Sequence, residues 1–195
     1  MKFDVVSLDI TRFEGSLLAI PVFEGKLDEA PFLEVDEALN KRLTKLAELE
    51  SFEGKSEQTL IYNPDGKLGT GRVALIGLGK RGDFTPPDAR MIGVAAARAG
   101  KSCKAVKIGI AMPKVPKGRR DAVLEGIACG VMLGSYAFDK YMQEAKPGVL
   151  AEVVVIGKDL GGARKRTARA RLEWGEKVGA AVNRADSPTQ SAQVA

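Results

Sequence analysis

The sequence predicts an α/β fold, with helices on both faces of a mixed, largely parallel sheet. Three observations predict it. From residue 72 onward, strand-like and helix-like stretches alternate in the order strand, helix, strand, helix, strand, helix. Such alternation implies right-handed crossovers between parallel strands. The runs Arg72–Leu78 and Leu150–Ile156 are almost wholly apolar, as expected of strands buried on both faces. The first 62 residues add further strand-like segments, which the reading expects to extend the same sheet. A chain of 195 residues fits one domain, or one domain with a connecting helix.

Phe3–Leu8 and Ser16–Phe23 are short apolar and β-branched runs separated by Glu14-Gly15, and read as strands. Phe23–Val35 reads as a polar loop containing Pro31. Asp36–Leu49 reads as one helix, with Asp36 as its N-cap and Leu39, Leu43, Leu46 and Leu49 as a core-facing row. Thr59–Tyr62 is a strand closed by the turn Asn63-Pro64-Asp65-Gly66. After Arg72–Leu78, Pro86 or Pro87 opens a helix running to Ala99 and ended by Gly100. Ala105–Ala111 is the next strand, closed by Pro113. A helix follows from about Gly118, then the strand Leu150–Ile156 and a last helix from about Gly162 to Ala185. The Ser/Gln/Ala-rich tail Asp186–Ala195 is expected to fray.

The helix after Gly118 carries a stripe, Gly126, Gly130 and Gly134, extended backwards by Ala122. Residues four apart share one helix face, and each interior glycine costs about 1 kcal/mol relative to alanine. The stripe therefore predicts a close-packed neighbour. The other face, Ile127, Val131, Gly134, Phe138 and Tyr141, predicts a second one.

Composition removes several chemistries. There is no histidine, so Ser-His and Cys-His nucleophile systems, histidine bases and histidine-ligated zinc are excluded. Cys103 and Cys129 show no Cys-x-x-Cys spacing and are expected to be buried free thiols in a reducing cytoplasm. The start MKFDVVSLD lacks the apolar run of a signal peptide. The apolar stretch 122–138 is shorter than the ~20 residues of a membrane span and contains Glu125, so no span is expected. The net charge of +5 divides into −6 over residues 1–60 and +11 over the remainder. That asymmetry suits solvated helix faces first, and nucleic acid or an acidic partner second.

Gly77-Leu-Gly79-Lys-Arg-Gly82 fits a G-x-G-x-x-G pattern after a strand. A dinucleotide site would need the third glycine in the helix and an acidic residue after the next strand. Here the helix starts at Pro86 and the next strand ends Ile110-Ala111-Met112-Pro113, so the motif reads as a tight turn requiring positive φ. Lys80 also lacks the spacing and following Ser/Thr of a phosphate-loop lysine. Lys114, Lys117, Arg119 and Arg120 form one basic cluster; Lys158, Arg164, Lys165, Arg166, Arg169 and Arg171 form another. Both read first as solvated charge and second as phosphate contacts. Asp4, Asp9, Asp36, Glu37, Asp83, Asp88 and Asp139 read as surface charges and caps, and Tyr136 and Tyr141 as packing residues. No residue is assigned a catalytic, cofactor-binding or metal-ligating role.

The helix ending Leu133-Gly-Ser-Tyr-Ala-Phe-Asp-Lys-Tyr141 resembles the amino-terminal domain of the leucyl (cytosol) aminopeptidase family. Ser51-Phe-Glu-Gly-Lys55, Gln58-Thr-Leu60, Pro64-Asp-Gly66, Arg72-Val-Ala-Leu-Ile-Gly-Leu-Gly-Lys80 and Ala180–Arg184 resemble other family segments in the same order. The resemblance spans residues 3–184. It implies a three-layer α/β/α, macro-domain-like domain over 1–160, a linker helix over 161–185 towards a catalytic domain, and the tail 186–195. In the family that second domain holds two divalent metals (Zn, Mn or Mg) and removes amino-terminal residues from peptides, usually within a cytoplasmic hexamer. Its metal-binding lysine and carboxylates, including an Asn-Thr-Asp-Ala-Glu-Gly-Arg segment, have no counterpart in these residues. Where the family continues with Ala-Arg-Asp-Leu and an Asn-Pro-rich stretch, this chain has Asn183-Arg-Ala-Asp-Ser-Pro-Thr189. No catalytic residue therefore carries over. The expected role is support of assembly and of active-site access, with the catalytic domain and neighbouring copies as partners. The alternative is a binding module for DNA or an ADP-ribose-like ligand.

Overall fold

The computed structural model describes residues 1–135, 150–158 and 160. The expected last helix, the frayed tail, Phe138, Asp139, Tyr136, Tyr141 and the bases Arg164–Arg171 lie outside the described residues. Among the described residues six strands form one sheet: β1 (Lys2–Val6), β2 (Leu17–Val22), β3 (Thr59–Tyr62), β4 (Val73–Gly77), β5 (Lys107–Ala111) and β6 (Glu152–Ile156). Their spatial order is β1-β6-β5-β2-β4-β3. All neighbours are parallel except β3 and β4, where Thr59 faces Ile76 and Tyr62 faces Val73. The sheet is thus mixed and largely parallel, as expected.

The order of the strands differs from a simple amino-terminal extension. β1 does extend the edge, beside β6, but β2 enters the middle, between β4 and β5. Its six residues are all buried, and alternate side chains enter opposite cores. Leu17 and Ala19 join Ile108, Ile110, Val153 and Val155 under α3 (Ala89–Ser102) and α4 (Arg120–Ser135). Leu18, Ile20 and Val22 join Leu75 and Ile156 under α1 (Phe32–Ala38) and α2 (Arg42–Leu49). The chain crosses the sheet in one direction from β2 to β4, and in the other from β4 to β5 to β6. Right-handed crossovers then require helices on opposite faces, which accounts for the two cores.

The helix expected over Asp36–Leu49 is two helices. Asn40 and Lys41 adopt φ of 56° and 57° and break it. Asp36 does act as a cap, but for α2: buried in α1, its Oδ1 accepts the Leu43 and Thr44 amides at 2.8 and 3.1 Å. The core row is Leu39, Leu43 and Ala47, while Leu49 is 81% exposed. The preceding loop is also shorter than expected, because α1 starts at Phe32. The helix α3 runs past Gly100 to Ser102. Gly100 is a packing residue and not a cap: a Cβ there would strike the Ile108 side chain.

The glycine stripe of α4 faces α3. A Cβ on Gly126 would stand 2.9 Å from the Pro86 carbonyl oxygen, and one on Gly134 2.8 Å from Val94 Cα. One on Gly130 would collide with the Arg90 carbonyl. Ile127 and Val131 enter the core on another side, so the helix does pack on two sides. Ala122 is exposed and does not extend the packed stripe. The thiols also differ from expectation: Cys103 is half-buried and Cys129 exposed, on the outer side of α4.

Candidate functional site

The carboxyl ends of β5 and β2 send the chain to opposite faces, towards α4 and α1. Open α/β sheets bind ligands in the crevice such a reversal leaves. A cleft of about 220 Å³ lies there, reaching the ends of β1 and β6. Leu8, Ile10, Met112 and Ile156 supply its apolar walls, and Lys114, Arg120, Lys158 and Glu34 its charged ones. Lys114 and Arg120 come from the first basic cluster and Lys158 from the second. They meet because β5 and β6 are adjacent and parallel, so the residues just beyond both strands emerge together. Lys117 and Arg119, also of the first cluster, are exposed and do not line the cleft.

The charges are organised by two glutamates that the sequence reading did not single out. Glu34 accepts from Lys158 Nζ at 2.7 Å, and this bond raises the lysine's pKa above its ordinary 10.5. Glu29 takes Arg81 in a two-point contact, at 3.2 and 2.6 Å, with Lys114 at 3.5 Å and Lys26 at 3.9 Å. The Arg81 bond is the main cause of a Glu29 pKa held below the ordinary 4.5. Arg81 also lies over the Phe23 ring at 4.8 Å, and Phe23 meets Phe84 edge to face. Arg120 donates to the Lys158 carbonyl at 3.5 Å. The available signal was positional: charged residues just beyond parallel strands emerge on one rim.

The Gly77–Gly82 segment is built as a turn. Gly79 has φ of 70°, and a Cβ on Gly77 would collide with the Lys55 carbonyl. The amides of Gly77, Leu78 and Gly79 donate to Gln58, Val22 and Gly54 carbonyls at 2.8–2.9 Å. An amide committed to a carbonyl is not available to cradle a phosphate. The Ser51–Lys55 and Gln58 segments form the other side of this joint. Gln58 Oε1 accepts the Glu53 and Lys55 amides, and its Nε2 donates to the Ser51 carbonyl. Three of the sequence segments that carried the family resemblance are thus one structural unit.

The scattered carboxylates serve local structure. Asp9 accepts from Thr11, and Asp88 forms a capping box with Thr85; each bond lowers the acid's pKa. Asp4 accepts the Val5 amide, while Glu37 and Asp83 are exposed. Asp36, read as a cap, is a buried one. Among the described residues no three His, Cys, Asp or Glu side chains are grouped to hold a metal ion, and no helix is long and apolar enough to cross a membrane.

The cytosol aminopeptidase family's N-terminal domain matches residues 19–145 of the chain. The chain belongs to the cytosol aminopeptidase family. It is 30% identical to leucine aminopeptidase 3, chloroplastic, of Arabidopsis thaliana, over 80% of this chain and 29% of that protein. It is 29% identical to a probable cytosol aminopeptidase of Geobacter sp. (strain M21), over 91% of this chain and 35% of that one. Among solved structures, a mutant of tomato leucine aminopeptidase superposes with a TM-score of 0.78 at 27% identity, covering 93% of this chain and 36% of that chain. A macrodomain mutant from Oceanobacillus iheyensis superposes with a TM-score of 0.58 at 13% identity, covering 90% of this chain and 93% of that one, which bears on the fold alone. The macro-domain-like expectation for this family domain therefore holds. The chain spans about a third of the length of the relatives it matches.

Proposed function

We propose that this cytosol aminopeptidase domain is non-catalytic, and that it supports assembly of a metal-dependent aminopeptidase and shapes access to an active site on a following domain. The match to the family's amino-terminal domain carries the reading. The engagement of Asp9, Asp36, Asp88 and Glu29 by Thr11, Leu43, Thr44, Thr85 and Arg81 supports it. Among the described residues no group of side chains fits the family's two-metal centre. In this proposal the segment 161–185 links to the catalytic domain, no residue of this chain carries catalysis, and copies associate in a cytoplasmic oligomer, a hexamer by family resemblance. Mixing the chain with a separately produced catalytic half of a family member, and reading molecular mass by light scattering, tests the assembly role. A joint species is expected; two components that never associate would oppose it.

A further inference from the structure

The cleft between the β2–α1 and β5–α4 connections has both apolar and charged walls. Ile10 and Ile156 are buried floor residues, while Leu8 at the mouth is 39% exposed. Exposed leucine beside a built concavity favours an apolar ligand body. The volume of about 220 Å³ lies below the ~300–1,000 Å³ of pockets for larger organic ligands, so the body is small.

The charge is equally informative. Lys158 is matched by Glu34, while Glu29 is shared by Arg81, Lys114 and Lys26. Asp9 is engaged first by Thr11, with Arg12 and Lys158 as smaller charge contributions. Arg120 donates to a neutral carbonyl at 3.5 Å, a long contact. Arg120 is the half-buried cation among the charged residues that line the cleft, and its guanidinium is a group whose planar fork matches a carboxylate. Arg120 opens the sixteen-residue helix α4, whose amino end adds positive potential.

We propose that this cleft binds a small monocarboxylate with an apolar body, of about the size of an N-acylated amino acid, with the carboxylate on Arg120 and the body against Leu8, Ile10, Met112 and Ile156. The binding does not depend on the assembly role and survives its failure. The apolar walls favour a carboxylate that carries an apolar body over a bare anion such as phosphate.

The probe is N-acetylleucine, compared with uncharged N-acetylleucine amide and with inorganic phosphate, in titrations followed by amide chemical shifts of the whole chain. N-acetylleucine is expected to shift the Ile10, Ile156, Gly157 and Lys158 amides at millimolar concentration. The amide analogue is expected to bind about tenfold more weakly, the scale of one charge-assisted hydrogen bond. Arg120→Gln should weaken the carboxylate about tenfold and leave the amide analogue unchanged. Leu8→Glu, at an exposed position, should weaken both. Absence of shifts at those residues, equal affinity for acid and amide, or phosphate binding as well as N-acetylleucine would each overturn the proposal. The acid–amide comparison uses the unaltered chain, so it decides the matter even if Arg120→Gln does not fold.

Discussion

Gly93 of α3 and Gly130 of α4 meet backbone to backbone: a Cβ on Gly93 would stand 2.7 Å from the Gly130 carbonyl carbon. The two helices approach so closely because neither presents a side chain at the crossing. Replacing Gly130 by alanine would gain about 1 kcal/mol of helix propensity. It would also drive a methyl into the Arg90 carbonyl, and overpacking of a tight contact costs about 1–3 kcal/mol or more. Chemical denaturation should show Gly130→Ala less stable by about 2 kcal/mol. Gly118→Ala, where a Cβ meets nothing within 4 Å, should lie within about 0.5 kcal/mol of the parent.

Asp36 joins α1 to the start of α2 through the Leu43 and Thr44 amides. Asp36→Ala would leave both amides without this acceptor, at a cost of about 2 kcal/mol. Asp36→Asn keeps one carbonyl acceptor and should lose less. Hydrogen exchange should show the loss concentrated in α2; a uniform loss across the domain would contradict this account of the cap.

Much of the fold was legible because its strands are short, apolar and separated by turn-forming residues. The turn after β3 illustrates this: Asp65 and Gly66 take φ of 50° and 76° in the Asn-Pro-Asp-Gly segment that predicted it. The break between α1 and α2 was not legible, since Leu39, Leu43, Leu46 and Leu49 continue a helical period through it and no Gly or Pro marks it. The break is favoured by a tertiary arrangement, the buried Asp36 turning to cap the next helix. Gly100 looked like a helix end because glycine usually marks one, whereas its role is contact with Ile108 across the core. The insertion of β2 between β4 and β5 depends on long-range pairing that no local pattern encodes. For the same reason the cleft was only half legible. Its bases stood out in the sequence, but Glu29 and Glu34 gain meaning only once parallel strands bring their partners alongside.

The Gln58 side chain closes the 51–55 loop through three hydrogen bonds, and its carbonyl accepts the Gly77 amide at the end of β4. Gln58→Ala should cost about 1–2 kcal/mol. Exchange of the Glu53 and Lys55 amides should accelerate well beyond that of β4. Unchanged exchange at those two amides would show that the loop is held by Gly54 and Gly77 packing alone.

Acid should weaken the domain through Glu29 and Asp88. Both pKa values are lowered in the folded chain, by the Arg81 and Thr85 hydrogen bonds respectively. Their stabilising contributions are fully present above the ordinary values of 4.5 and 3.8 and fade as the pH falls through the lower folded values. Glu29→Gln should therefore be less stable than the parent near neutrality, and the gap should narrow below pH 4.5. Thermal melts across that range check the sign; a gap that widens on acidification would contradict it.

The proposed non-catalytic role requires that peptidase chemistry lie outside this chain. The most direct measurement is hydrolysis of an aminoacyl amide by the purified chain, with manganese or zinc added. No turnover above the metal-only background is predicted. Metal-dependent turnover that co-purifies with the chain, and is lost when the chain is unfolded, would contradict the claim.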